Sequence, residues 1–119
     1  MSSGKVTGIG GVFFRARDPD ALREWYVEHL GIEPEDHGGA LFEGGHTVWS
    51  IFPDDTDYFG PSGQQGMVNY RVDDLDAMLD QLRAAGAEVD ERTEEYDFGR
   101  FGWAVDPEGN RFELWQASS

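Results

Sequence analysis

The stretch GRFGWAVDPEGNRFELWQ, residues 99–116, sets one carboxylate, Glu113, between Phe112 and Leu114 with Trp115 beside it. A carboxylate among apolar neighbours suits three kinds of chemistry: it can ligate a divalent cation, take a proton once burial raises its pKa, or hold a polar ligand. It can also be a plain surface charge on an edge strand, or the partner of an arginine such as Arg15, Arg71 or Arg111. The other chemistry-bearing side chains offer less. His29 falls in a helical pattern, and His37 and His46 stand near loops with no second His at ligand spacing, so all three read as structural or exposed. The chain has no cysteine, which removes disulfides, thiolate zinc sites, iron–sulfur clusters and thiol nucleophiles.

The elements that must position Glu113 come in two copies. VFFRARDPDAL from Val12 lies over VNYRVDDLDAM from Val68, matching Arg15 with Arg71, Asp18 with Asp74 and Ala21 with Ala77; one residue fewer further on, Gly31 matches Gly86. In each copy the apolar period changes at the aspartate. Val12, Phe14 and Ala16 alternate with polar or opposite-face residues as a strand does, and so do Val68, Tyr70 and Val72. From Asp18 on, Leu22, Trp25, Tyr26, His29 and Leu30 follow helical spacing, with Asp18 as N-cap and Pro19 in the first helical position; Trp25 and Tyr26 are therefore expected in the core. Asp74 caps the second helix, Leu75, Met78, Leu79 and Leu82 form its stripe, and Gly86 supplies a left-handed C-terminal cap.

Short β segments follow each helix: residues 40–44 and 46–52 in the first half, 88–97, 101–105 and 110–116 in the second. Asp106-Pro107-Glu108-Gly109 predicts a hairpin between the last two. The segment from 53 to 66 is rich in Pro, Gly and Asp and reads as a linker. The expected organisation is one domain over residues 1–119: a first module at about 6–53, a linker at about 54–66 and a second module at about 67–116, each a βαβββ unit.

Composition narrows the partners. Apolar residues form 39% of the chain and aromatics 13%, enough to fold one unit of 119 residues. Twenty-four acidic residues against 9 basic ones give a net charge of −15, which opposes nucleic acid and anionic membranes because phosphate contacts need clustered Lys and Arg. The acids are scattered apart from Asp54, Asp55 and Asp57, so the excess reads as a solvated, solubilising surface. No targeting pattern and no membrane-length apolar run is present; the expectation is a soluble, cytoplasmic protein.

A duplicated βαβββ unit with Leu30-Gly31 after the first helix, Ala84-Ala85-Gly86 after the second and a closing Asp-Pro-Glu-Gly-Asn-Arg-Phe-Glu-Leu-Trp resembles the vicinal oxygen chelate superfamily, from about Val6 to Gln116. That superfamily includes glyoxalase I, extradiol dioxygenases and the fosfomycin and bleomycin resistance proteins. The resemblance implies an α+β fold in which two modules form a cupped mixed β-sheet. In metal-binding members, four inward side chains hold a divalent ion; carried over, these positions are Gly11, Met67, Glu113 and a residue near Ser50. Only Glu113 is a good ligand, since Gly offers no donor and a Met thioether is too soft for such ions. Strand alternation with the superfamily's inward direction puts Gly11, Phe13, Arg15, Met67, Asn69, Arg71, Glu113 and Trp115 on the cavity face, and Trp49, Trp103 and Trp115 are strand aromatics able to stack on a ligand.

Three functions follow as alternatives. The first is a protein without metal or other cofactor that binds a small aromatic or cationic molecule through Phe13, Arg15, Ser50, Met67, Asn69, Arg71, Trp103, Glu113 and Trp115. The second is a divalent-metal lyase, isomerase or dioxygenase drawing ligands from elsewhere, such as His46 or the Asp54, Asp55 and Asp57 group. The third is a metal-independent enzyme with Glu113 as general base and Asn69, Arg15 or Arg71 polarising the substrate. Residues 94–103 read as an edge or a flap. Open sheet edges and the superfamily's habit both lead to the expectation of a homodimer.

Overall fold

The computed structural model describes residues 4–35, 39–42, 47–61 and 63–118, so His37 and His46 lie outside the described residues. Strand and helix fall where the apolar period changes. Strand β1 (Val6–Ala16) leads into helix α1 (Pro19–Leu30), then β2 (Ala40–Phe42) and β3 (Thr47–Pro53). The second half runs β4 (Gly66–Val72), α2 (Leu75–Ala84), β5 (Glu88–Val89), β6 (Glu94–Tyr96), β7 (Gly99–Val105) and β8 (Arg111–Ala117). No helix among the described residues is long and apolar enough to cross a membrane.

Both helices start as their sequences dictate. The Asp18 carboxylate accepts from Ala21 N at 3.1 Å with Pro19 next in line, and Asp74 accepts from Ala77 N at 3.0 Å. Both halves leave their helices through a left-handed glycine, Gly31 at φ 69° and Gly86 at φ 87°, a conformation that costs a side chain with a Cβ.

The strands form one open, cupped mixed sheet in the order β2-β3-β1-β4-β8-β7-β5, with β6 also on the outer edge of β7. The halves repeat one central pairing, although two described strands follow α1 and four follow α2. Strand β1 pairs in parallel with β3 and β4 in parallel with β8, and Phe13 facing Ser50 in the first pair corresponds to Asn69 facing Glu113 in the second. The halves join where β1 runs antiparallel to β4, with a register shift between Ile9 and Gly11. The expected hairpin between β7 and β8 is present, closed by Asp106, whose carboxylate accepts from Glu108 N and Asn110 N, both at 2.9 Å.

Alternation divides the apolar side chains between two faces. On the convex face, α2 buries Leu75, Met78 and Leu79 against Val72 and Leu114. A second convex cluster holds Ala40, Trp49 and Ile51, with Phe14, Leu22 and Tyr26 packed against it. The concave face carries Phe13, Met67 and Trp103, joined by Phe59 from the connection between the halves.

The expectation for α1 needs correction. Trp25 is 51% exposed and Leu30 60%, His29 is exposed, and Tyr26 is only half-buried against Phe14 and Trp49. Leu22 and Tyr26 pack against Ala40, Trp49 and Ile51, while Trp25 and Leu30 lie outside that cluster.

Because α2 carries the deeper contact, Leu79→Ala is expected to lower the unfolding free energy by about 2–5 kcal/mol, and Asp74→Ala, which removes only a cap, by about 1 kcal/mol. Urea denaturation of the two variants checks the ranking.

Candidate functional site

Strand β8 is not an edge. It runs between β4 and β7, so Glu113 has Asn69 as its neighbour on one side and Trp103 on the other. All three side chains point to the concave face and all are buried, at 2%, 1% and 0% exposure. Asn69 Nδ2 donates to Glu113 Oε1 at 2.6 Å, and Trp103 Nε1 donates to Oε2 at 2.9 Å. The Tyr58 hydroxyl, carried by the connection between β3 and β4, closes a third hydrogen bond to Oε2. Tyr58 is held there by stacking on Phe52, with ring centroids 5.5 Å apart and planes within 8°.

Burial pushes the pKa of Glu113 above the ordinary carboxylate value, against the opposing pull of its three donors and the Arg111 charge. Burial also pushes the Tyr58 phenol far above its ordinary value, and the neighbouring Glu113 charge adds to that. No arginine among the described residues forms an ion pair with Glu113, so the surface-charge and arginine-partner readings both fall.

Above this row lies a cavity of about 150 Å³ lined by Gly10, Phe13, Val48, Asn69, Phe98, Phe101, Glu113 and Trp115. Its wall is mainly apolar. Phe101 and Trp115 stack with centroids 5.7 Å apart and planes within 8°. Trp115 Nε1 donates to the Phe98 carbonyl at 3.0 Å, tying residues 97–99 to the mouth. Of the segment 94–103, residues 94–96 form the edge strand β6 and residues 99–103 belong to β7 inside the sheet, while Phe98 between them closes one side of the cavity. Gly10 matters by what it lacks: a Cβ there would overlap Asn69 Oδ1 and crowd Trp115. That oxygen is buried and accepts no hydrogen bond.

The expected ligand-contact residues divide. Phe13, Asn69, Glu113 and Trp115 line the cavity, and Met67 and Trp103 pack in the cluster beside it. Ser50 sits opposite Phe13 on β3. Trp49 turns to the helix side. Arg15 does not reach Glu113: its Nη1 donates to the Asp54 carbonyl at 2.9 Å, its guanidinium lies 5.1 Å over the Phe59 ring, and it lines a separate open cleft of about 1090 Å³ beside α1. Arg71 extends across Gly8, where a Cβ would come within 2.6 Å of Nη2.

The four superfamily ligand positions do not fit a divalent ion. Gly11, Ser50 and Met67 provide no carboxylate or imidazole, and both Glu113 oxygens already accept hydrogen bonds. No group of three or more His, Asp or Glu able to hold a metal occurs among the described residues, and Asp54, Asp55 and Asp57 are all exposed.

Sequence reading missed Tyr58, Phe98, Gly10, Val48 and Phe101. The aromatic doublet Tyr58-Phe59, set in a stretch otherwise made of Pro, Gly, Asp and Gln, was the available signal for the first, because such a doublet is out of place in a solvated linker.

Known proteins share this fold. The glyoxalase-like domain family matches residues 11–115. Methylmalonyl-CoA epimerase from Mycobacterium tuberculosis is 24% identical, the alignment covering 100% of this chain and 93% of that one, with a TM-score of 0.68. Streptomyces coelicolor methylmalonyl-CoA epimerase, in complex with 2-nitronate-propionyl-CoA, is 18% identical over 97% of this chain and 100% of that one, with a TM-score of 0.71. An NAD-dependent benzaldehyde dehydrogenase from Legionella pneumophila aligns at 18% identity over 91% of this chain and 98% of that one, with a TM-score of 0.60. At these identities the likeness is one of fold. No curated protein matches the chain. With the family covering nearly its whole length and the cupped sheet to match, the chain belongs to the glyoxalase-like domain family of the vicinal oxygen chelate superfamily.

Proposed function

We propose that this protein binds a small organic molecule in the cavity of its cupped sheet and does so without a divalent metal. The observation that carries this reading is the state of Glu113: its two oxygens accept from Tyr58, Asn69 and Trp103, so the one good ligand of the superfamily's four positions is engaged in the protein's own hydrogen bonds. A mostly apolar concave wall is usual for a small-molecule site, and about 150 Å³ matches a molecule of single-ring size. With the carboxylate occupied, a neutral aromatic ligand is favoured over a cationic one. The epimerase relative holds a CoA ester analogue, a far larger molecule; only its acyl end has dimensions comparable to this cavity.

A second reading has one observation in its favour. Burial raises the pKa of Glu113, which also lines the cavity, and a carboxylate so placed can serve as a general base without metal. Metal-assisted lyase, isomerase or dioxygenase chemistry has less support, since the donors it needs are missing from the matching positions. A homodimer accompanies the proposal, because Trp25 and Leu30 on α1 form an uncovered apolar stripe that a second copy would bury.

Metal content separates these readings. After incubation with Mn, Fe, Co, Ni or Zn and desalting, mass spectrometry is expected to find no retained ion; stoichiometric retention that Glu113→Ala abolishes would overturn the proposal.

The raised pKa of Glu113 has a definite sign for stability. Below the ordinary value of 4.5 its stabilising contribution is complete, and it is lost as pH rises through the elevated folded-state pKa, because the folded chain keeps a proton that the unfolded chain releases. Glu113→Gln cannot lose that proton. Its melting temperature, measured relative to the native protein's, is expected to climb steadily as pH is raised above 4.5; a constant difference would mean that Glu113 titrates normally.

A further inference from the structure

We infer that the cavity takes a hydrocarbon ring with no hydrogen-bonding atom, and that it discriminates by rejecting polar rings of the same size. This rests on the cavity reading above and names its ligand class.

The wall gives the reason. Phe13, Val48, Phe98, Phe101 and Trp115 bring carbon to it from four strands and from the turn between β6 and β7. Of the side chains bordering the cavity, only those of Asn69, Glu113 and Trp115 carry polar atoms. Each of those atoms is bonded within the protein or sealed from the cavity. Glu113, at 2% exposure, accepts from Asn69 Nδ2 on one oxygen and from Trp103 Nε1 and the Tyr58 hydroxyl on the other. Trp115 Nε1 donates to the Phe98 carbonyl at 3.0 Å. Asn69 Oδ1 is buried in the space that a Cβ on Gly10 would take, out of a ligand's reach.

Such a wall sorts its guests by polarity. A buried water needs about two to four polar partners, and these side chains offer it none, so exchanging water for hydrocarbon is favourable. A polar ring is in the opposite position, because it leaves its hydrogen bonds in bulk water and meets only carbon. The volume of about 150 Å³ is one at which an apolar protein cavity holds benzene. Four aromatic side chains, Phe13, Phe98, Phe101 and Trp115, also favour a flat ring, through offset or edge-to-face contact.

The mouth dictates the choice of probe. Phe98, at 58% exposure, rims the cavity, and a single polar group on a ring can face outward beside it. Pyrazine has the shape of benzene with two nitrogen acceptors at opposite ends, so one of them must face the wall whichever way the ring lies. The indole N–H signals supply the location: Trp115 lines the cavity, whereas Trp25 stands exposed on α1, where a ring could bind without entering the cup.

Benzene and pyrazine are to be titrated into the full chain at pH 7.5 while the indole N–H resonances are followed by NMR. Benzene is expected to shift the Trp115 signal, leave that of Trp25 in place, and bind about tenfold tighter than pyrazine. In Val48→Phe, whose larger side chain occupies the cavity, the Trp115 response to benzene is expected to disappear. Pyrazine binding as tightly as benzene at Trp115 would overturn the hydrocarbon class while leaving the cavity reading standing. A Trp115 signal that neither ring moves would overturn both, whether or not Trp25 responds. An undiminished Trp115 response in Val48→Phe would also overturn the proposal; if that variant does not fold, the native titration decides the matter.

Discussion

A carboxylate in the middle of a sheet is costly to bury, and the concave half of this protein is arranged around offsetting that cost. Removing an ionised carboxylate from water without partners costs several kcal/mol. Glu113 sits at 2% exposure, and the groups that compensate come from three separate elements: Asn69 from β4, Trp103 from β7 and Tyr58 from the connection between β3 and β4. Displacing any one of them would leave an oxygen short of a donor. The carboxylate thus holds together parts of the chain that are far apart in sequence, and the cavity above it takes its shape from those parts.

The two faces of the sheet divide the work. Stability rests mainly on the convex side, where α2 packs Leu75, Met78 and Leu79 onto Val72 and Leu114. The concave side is less completely filled and keeps a cavity of about 150 Å³, while Gly8 and Gly10 on β1 give up their side-chain space to Arg71, Asn69 and Trp115. Helix α1 completes the asymmetry: it covers Trp49 and Ile51 with Leu22 and Tyr26 while its outer apolar residues stay uncovered.

The superfamily's scaffold brings four strand positions toward one point, a geometry suited to an ion. Here those positions hold Gly11, Ser50, Met67 and Glu113, and the carboxylate is turned to accept hydrogen bonds from its own neighbours. The same backbone therefore presents an apolar cavity. Relatives on this fold include epimerases and a dehydrogenase, so the side chains in the cup, and not the sheet itself, set the chemistry of each member.

Much of the fold was legible in the residues. The aspartate caps, the left-handed glycines and the β7–β8 turn are local features, each specified by neighbours within a few positions, and strand alternation together with the superfamily's inward direction placed Phe13, Asn69, Glu113 and Trp115 on the face where they line the cavity. Where reading failed, the deciding contact was long-range. Helical spacing marked Trp25 for burial, but a stripe is buried only where a surface lies opposite, and the sheet cluster takes Leu22 and Tyr26 while Trp25 stays exposed. Composition assigned residues 54–66 to a linker, yet Tyr58 and Phe59 fold inward because the cup has an unfilled apolar floor and an acceptor waiting on Glu113. The sequence by itself determined which residues form strands and helices, because dihedral preference and periodicity act over a few positions. Only the tertiary structure decided what Glu113 is engaged with, since its partners lie 10, 44 and 55 residues away and no local preference specifies a hydrogen bond over that distance.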